Sequence, residues 1–243
     1  MKSMQESTKT FHDRGEHGRD MAVLLKDLAS ALAKAGRGDE ASKPLDEAEA
    51  IAREVKNDSL MAKILNTRGD LAFYRGDIKA ADQFYRAALT LSTHTKDNDT
   101  LVLSKLNVAR MAMAQDRSKE ALGMLRPLMN STNTTNAYLS LQLAIAQAQA
   151  EVETGDYAKA ERDLEQSLIR SEKAGTRLDS ARINYLLGTS LRLRGATEKG
   201  RSSYYYGETL RLLDAIRADP GAQNILHRTD LKTIHDDASR WKV

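Results

Sequence analysis

The sequence predicts an all-α solenoid made of five tandem helix-turn-helix units. The first observation is a repeat of small residues that are separated by 40, 40, 39 and 40 positions: Ala41, Ala81, Ala121, Ala160 and Gly200. Such a period is the sequence signature of repeat architectures. The second observation is the composition, since apolar residues make up 41% of the chain but aromatic residues only 5%. That mixture suits close helix packing better than the core of a β-sandwich.

The second helix of each unit carries a small-large-small stripe. Four residues after each small residue comes a large one, and these are Leu45, Tyr85, Leu125, Leu164 and Tyr204. The next members follow three positions later: Ala48, Ala88, Leu128, Ser167 and Gly207. Positions i, i+4 and i+7 share one face of a helix, so the stripe is predicted to pack against the first helix of the unit. Tyr204 is therefore predicted to lie in the core.

A turn residue precedes each stripe by five positions. It is glycine in four units and Asp116 in the third: Gly36, Gly76, Gly155 and Gly195. Glycine ends helices because it adopts the left-handed backbone conformation at little cost. Asp77 and Asp156 follow two of these glycines and are predicted to cap the next helix.

The first helices add a second pattern, Leu65, Gly69 and Ala72 in the second unit and Leu187, Gly188 and Leu191 in the fifth. Followed by Ala81 and Tyr85 in the second unit, this pattern resembles the tetratricopeptide signature. The period of 40 is similar to that of the long-repeat subgroup, as in kinesin light chain and MalT-like proteins. The resemblance covers roughly residues 22–216 and implies a right-handed superhelix whose first helices line a concave groove.

Three segments are expected along the chain. Residues 1–16 form an N-terminal arm or partial cap, residues 17–216 the array of five repeats, and residues 217–243 a break followed by a capping helix. The break is Asp219-Pro220-Gly221, and the amphipathic segment from about Asp230 to Trp241 is predicted to cover the last hydrophobic face. This C-terminal region also resembles, more weakly, the repeat regions of acidobacterial serine/threonine kinases. No kinase motif is present, so the resemblance implies an appended binding module.

Catalytic motifs are missing from the sequence. It contains no cysteine, and it has no phosphate-binding loop, no nucleophile elbow and no zinc helix. His12 and His17 are five positions apart and would diverge on a helix rather than share a metal ion. We therefore expect neither an enzyme nor a bound cofactor or metal.

The charges and hydropathy limit the compartment and the partners. The net charge of +3 is small for 243 residues, and bases alternate with acids as they do on solvated helix faces. No apolar run approaches the roughly 20 residues that span a membrane, so we expect no membrane insertion. Together with the lack of cysteine, this favours a cytoplasmic location.

The resemblance also implies where a partner binds. Transferring the groove positions of the family onto matching units gives Lys63, Asn66, Phe73, Tyr74, Asn107, Arg110, Met113, Gln149, Arg182, Tyr185 and Arg192. Asn66 and Asn107 resemble groove asparagines that hold the backbone of a bound peptide. The cationic members would favour an acidic or phosphorylated segment through charge-assisted hydrogen bonds.

Three functional hypotheses follow. The first is a protein–protein interaction scaffold that binds a peptide or protein segment in the groove, as a regulatory or targeting module of a bacterial signalling protein. The second is a small-ligand sensor of the MalT-like kind. The third, nucleic-acid binding through the basic last unit, is the one that the charge pattern supports least. The ends of such an array are also a place where two copies could form a homodimer.

Overall fold

The computed structural model describes residues 4, 6, 10, 18–130, 136–195 and 198–242, and their regular structure is helical throughout. Ten of the helices follow one another along the repeats: α1 (Arg19–Lys34), α2 (Gly38–Glu54), α3 (Asp58–Tyr74), α4 (Ile78–Ser92), α5 (Asn98–Met113), α6 (Ser118–Asn130), α7 (Ala137–Thr154), α8 (Tyr157–Lys173), α9 (Arg177–Arg194) and α10 (Lys199–Arg217). A short 3-10 helix (Ile225–His227) and α11 (Thr229–Trp241) complete the chain. The predicted all-α helical-repeat class is confirmed. The candidate metal ligands His12 and His17 lie outside the described residues.

The chain divides into two compact units. The first contains residues 1–108 together with residues 224–229, and the second contains residues 109–223 together with residues 230–243. The C-terminal segment is therefore shared, since its first six residues pack with the first unit and the rest with the second.

The small-large-small stripe forms the core in the first four repeats, as predicted. Ala41, Leu45 and Ala48 are at most 1% exposed. In the second repeat, the ring of Tyr85 lies against Gly69, where an added Cβ atom would come within 2.4 Å of the ring. The small residue of the first helix thus makes room for the large residue of the second.

The predicted turn residues adopt left-handed conformations. Gly36 has a φ of 76° and Gly155 a φ of 88°, and Asp116 takes the same conformation at a φ of 60°. The capping prediction holds for Asp77, whose carboxylate accepts a hydrogen bond of 2.9 Å from the Ala80 N–H. It is wrong for Asp156, whose side chain makes no capping bond.

The predicted stripe of the fifth repeat is wrong by two residues. Tyr204 is 63% exposed, whereas Ser202 and Tyr206 are buried. The cause is a longer turn: α2, α4, α6 and α8 each begin two residues after the turn residue, but α10 begins at Lys199, four residues after Gly195. Gly195 has a φ of 137° rather than the compact left-handed geometry of the other turns. The two extra residues shift the buried face to Tyr206.

Candidate protein-binding surface

One face of α9 collects three of the predicted groove residues. Arg182, Tyr185 and Arg192 are spaced by three and seven residues, which places their side chains on the same side of a helix. The opposite side of α9 is held in the core of the second unit by Ile183 and Leu187, which are at most 1% exposed. The three half-buried side chains therefore have a rigid support. We call them the α9 face.

Helix α11 lies on the α9 face. The guanidinium of Arg182 pairs with the carboxylate of Asp230, and the Tyr185 hydroxyl donates a hydrogen bond of 3.0 Å to Asp237. At the far end, the Arg192 guanidinium carbon lies 4.5 Å from the centroid of the Trp241 ring, a cation–π contact. The α11 residues in these contacts are seven and four positions apart, so they form one stripe. The α9 face thus holds a helix with two carboxylates and an aromatic ring.

The contacts between the two helices are partly desolvated. The side chain of Arg182 is 22% exposed and that of Asp230 only 12%. Burial raises the pKa of the Tyr185 hydroxyl well above its ordinary value, and the neighbouring Asp237 carboxylate raises it further. Tyr185 is therefore a neutral donor at physiological pH.

Tyr206 is a buried residue that contacts two side chains of the α9 face. It is fully buried, its ring centroid lies 6.1 Å from that of Tyr185, and its hydroxyl accepts a hydrogen bond of 3.1 Å from Arg192 Nε. These contacts fix the direction in which Arg192 points. The sequence pattern missed Tyr206 because the 40-residue period assigns the packing position to Tyr204; α10 begins four residues after Gly195 rather than two, which moves the packing position to Tyr206.

In the first unit, a different part of the C-terminal segment is held. Arg228 is 1% exposed, and its guanidinium carbon lies 3.6 Å from the centroid of the Tyr74 ring. It also donates a hydrogen bond of 3.2 Å to the Lys34 carbonyl. Tyr74 was predicted to contact a partner, and here it contacts its own chain. We call residues 225–228 the anchor.

The predicted groove asparagines lie between helices of the first unit. Asn66 and Asn107 are both 2% exposed, and the Asn107 amide donates a hydrogen bond of 3.0 Å to the Asn66 oxygen. The Asn66 amide in turn donates to the Ser104 hydroxyl at 2.8 Å. In this arrangement both amides join α3 to α5 instead of facing solvent.

The remaining predicted residues also have neighbours within the chain. Lys63 forms an ion pair of 2.7 Å with Asp97, Arg110 donates to Gln142 at 2.7 Å, and Gln149 donates to Glu153 at 2.8 Å. Met113 is 5% exposed, and the half-buried Phe73 lies with its ring centroid 6.1 Å from that of Tyr74. The structure therefore brings Arg182, Tyr185 and Arg192 together as a surface, and spreads the others over several contacts.

The described part of the chain contains neither a membrane-spanning helix nor a cluster of metal ligands. None of its helices has the length and apolar character needed to cross a membrane. Among the same residues, no three His, Asp or Glu side chains come together in a way that could hold a metal ion.

The fold and its repeated turn define a helical-repeat protein. The family model described as tetratricopeptide repeat matches residues 20–94. This segment spans α1 to α4, so the match identifies tetratricopeptide-type repeats in the first part of the array. Repeats of this kind generally mediate protein–protein interactions.

Comparison with solved structures finds a crystal structure from Podosopora anserina of a kinesin-light-chain candidate with nearly identical TPR-like repeats. The match has 16% sequence identity and a TM-score of 0.49, and it covers 89% of this chain and 95% of that chain. No curated protein matches the sequence significantly.

Proposed function

We propose that the chain is a protein-interaction module and that the α9 face of its second unit binds an acidic, helical segment of a partner protein. The observation that carries this proposal is the docking of α11, whose carboxylates and aromatic ring satisfy Arg182, Tyr185 and Arg192. A surface that holds one such helix has the chemistry to hold another of the same pattern.

The chemistry of the α9 face specifies the ligand. Arg182 suits a carboxylate because its guanidinium offers several N–H donors in a fixed plane. Tyr185 supplies a directional donor, and Arg192 supplies a cation over an aromatic ring. A partner helix is therefore expected to carry two carboxylates seven residues apart and an aromatic residue four positions after the second.

The binding assay uses the full-length chain. The probe is a fluorescent peptide with the sequence of residues 229–242, held helical by a hydrocarbon staple across positions 232 and 236, which face solvent in α11. Because α11 itself covers the α9 face, the chain carries Asp230→Asn and Asp237→Asn, which weaken the internal contact. We expect fluorescence anisotropy to show saturable binding to this variant.

The test of the site adds Arg182→Gln and Arg192→Gln to that chain. Loss of two charge-assisted contacts is expected to weaken peptide binding at least about tenfold, since each is worth roughly 1–3 kcal/mol. The matched control is Arg201→Gln with Arg211→Gln, two exposed arginines of α10 that pair with Glu198 and Glu208. The control removes the same charge. Equal weakening by both pairs would mean that binding is only a net-charge effect and would refute the proposed site.

The wider role stays a prediction. A regulatory or targeting function in a bacterial signalling protein is what the resemblance of the C-terminal region implies. The α9 face would then be the place where such a parent protein or its target is recognised.

A further inference from the structure

We infer that α11 is a displaceable, resident occupant of the α9 face, and that a partner gains access by replacing α11 with its own acidic helix while the anchor stays in place. This inference rests on the proposed function. It adds that α11 regulates access to the α9 face and that a partner must displace α11 in order to bind. The two parts of the C-terminal segment are held with different strength.

The anchor is tightly built into the first unit. Ile225 is 3% exposed and Arg228 only 1%. The carbonyl oxygen of Asn224 approaches Gly36 so closely that a Cβ atom there would lie 1.9 Å from it. Arg228 combines a cation–π contact with a hydrogen bond to a backbone carbonyl. A buried charge with two partners is costly to release, because each partner group would be left unsatisfied.

Helix α11 is held much more lightly. Leu231 and Ala238 are its buried residues, and the side chain that ends the contact, Trp241, is 41% exposed. A helix of 13 residues is marginal on its own in water, so its order depends on these contacts. The two buried apolar side chains of α11 are few compared with those of a stable protein–protein interface.

The contacts of α11 can also be exchanged one for one. Asp230, Asp237 and Trp241 each meet one residue of the α9 face, and all three meet it through side-chain groups that another protein can supply. A partner helix with the same spacing could replace the two carboxylates and the ring without leaving Arg182 or Arg192 buried and unpaired. Exchange of this kind avoids the main cost of opening a buried ion pair.

The chain connection between α10 and α11 sets the strength of the competition. A helix tethered through a short segment acts at an effective concentration on the order of millimolar. A free partner must exceed that advantage, so its apparent affinity is reduced by the fraction of molecules in which the face is occupied. We expect weakening α11 to raise the apparent affinity of a partner helix by about tenfold.

Trp241 makes the displacement directly measurable, because it is the only tryptophan in the chain. The probe is the stapled 229–242 peptide with Trp241→Phe, which does not interfere with the signal. Added to the unmodified full-length chain, it is expected to shift the Trp241 emission to longer wavelength and to increase its quenching by acrylamide. The change should follow the same saturation curve as binding measured by anisotropy.

Two independent variants test the competition. Asp230→Asn with Asp237→Asn, and separately Leu231→Ala, are each expected to raise the peptide affinity by about tenfold. Asp236→Asn is the matched control on the solvent side of α11, where the Asp236 carboxylate lies 3.4 Å from His235 Nδ1, and it should leave the affinity unchanged. Circular dichroism melting shows that each variant keeps the repeat array folded.

The outcomes separate the two proposals. Peptide binding without any change in Trp241, or equal affinities for the unmodified and weakened chains, would overturn the displacement while leaving the α9 face as a binding site. If neither weakened variant binds the peptide, the proposed function itself is refuted. If peptide binding changes the Trp241 emission, and if both weakened variants bind the peptide more tightly, then α11 is established as the competitor.

Discussion

Helices α3 and α9 use equivalent positions in opposite ways. Gly69 and Gly188 are 119 residues apart, and at the same separation Lys63 corresponds to Arg182 and Asn66 to Tyr185. In α3 these residues face the next repeat helix, where Lys63 pairs with Asp97 and Asn66 binds Ser104 and Asn107. In α9 they face α11, a helix outside the repeat array.

The type of side chain decides whether a repeat position connects two helices of the array or binds a helix outside it. A short amide such as Asn66 reaches only an adjacent helix, and its hydrogen bonds close the gap between two repeats. Long cationic and aromatic side chains reach further and can hold a helix that is not part of the array. The binding capacity is therefore expected in the second unit, while the corresponding positions of the first unit contribute to stability.

The largest effect is expected from Gly36→Ala in the first unit. The left-handed φ of 76° disfavours alanine, and its Cβ atom would lie 1.9 Å from a backbone carbonyl oxygen that cannot rotate away. Together these costs predict a loss of about 2–4 kcal/mol in the free energy of unfolding, measured by urea denaturation. The control Gly155→Ala also has a left-handed φ but nothing within 4 Å, so about 1–2 kcal/mol is expected there. Equal losses would mean that the anchor does not pack as described.

An intermediate effect is expected from Asn66→Ala. The change leaves the buried Asn107 amide without its acceptor, which predicts a loss of about 1–3 kcal/mol in the free energy of unfolding. The corresponding change on α9, Tyr185→Phe, removes the hydrogen bond to the half-buried Asp237 and should cost less than about 1 kcal/mol. Chemical denaturation of both variants measures the contrast. A larger loss for Tyr185→Phe would reverse the assignment of the two helices to stability and to binding.

A smaller effect than that of Asn66→Ala is expected from Asp97→Ala, which removes the partner of Lys63. Its carboxylate also accepts a hydrogen bond of 3.0 Å from the Thr100 N–H at the start of α5, and loss of such a cap costs about 1 kcal/mol.

The same residue predicts a pH dependence. Burial alone would raise the pKa of Asp97, but hydrogen bonds from Lys63, Thr100 and Ser59 hold it well below its ordinary value of 3.8. A carboxyl with a lowered folded-state pKa stabilises the fold above its unfolded pKa, and the contribution disappears as the pH falls below that value. The unmodified chain and Asp97→Ala should therefore differ in melting temperature at pH 7 and converge toward pH 2. A constant difference would contradict the ionic part of the assignment.

The fold could be predicted from the sequence because the same local patterns recur from one repeat to the next. The glycine turn, the small-large-small stripe and the Leu-Gly pair act within one helix pair, so four of the five repeats follow the period. The buried stripe of the fifth repeat was predicted wrongly because the turn before α10 is two residues longer. A fixed period of 40 residues does not account for two extra residues.

The candidate site could be predicted only in part. Arg182, Tyr185 and Arg192 came from the resemblance to tetratricopeptide repeats, whose groove positions were transferred onto the first helix of the fifth unit. What occupies the α9 face depends on where the chain goes after Pro220, and no local pattern determines a contact such as Tyr185 with Asp237, 52 residues away. The sequence likewise offered no sign that Asn66 and Asn107, 41 residues apart, bind each other.

The most direct measurement is amide hydrogen exchange of the full-length chain, with and without the stapled peptide. The account predicts that α11 exchanges faster than α9 and faster than the anchor at residues 225–228. Peptide addition should accelerate exchange in α11 and slow it in α9, with the anchor unchanged. If α11 is as protected as α9 and stays so when the peptide binds, then α11 is a fixed part of the fold and the α9 face is not open to a partner.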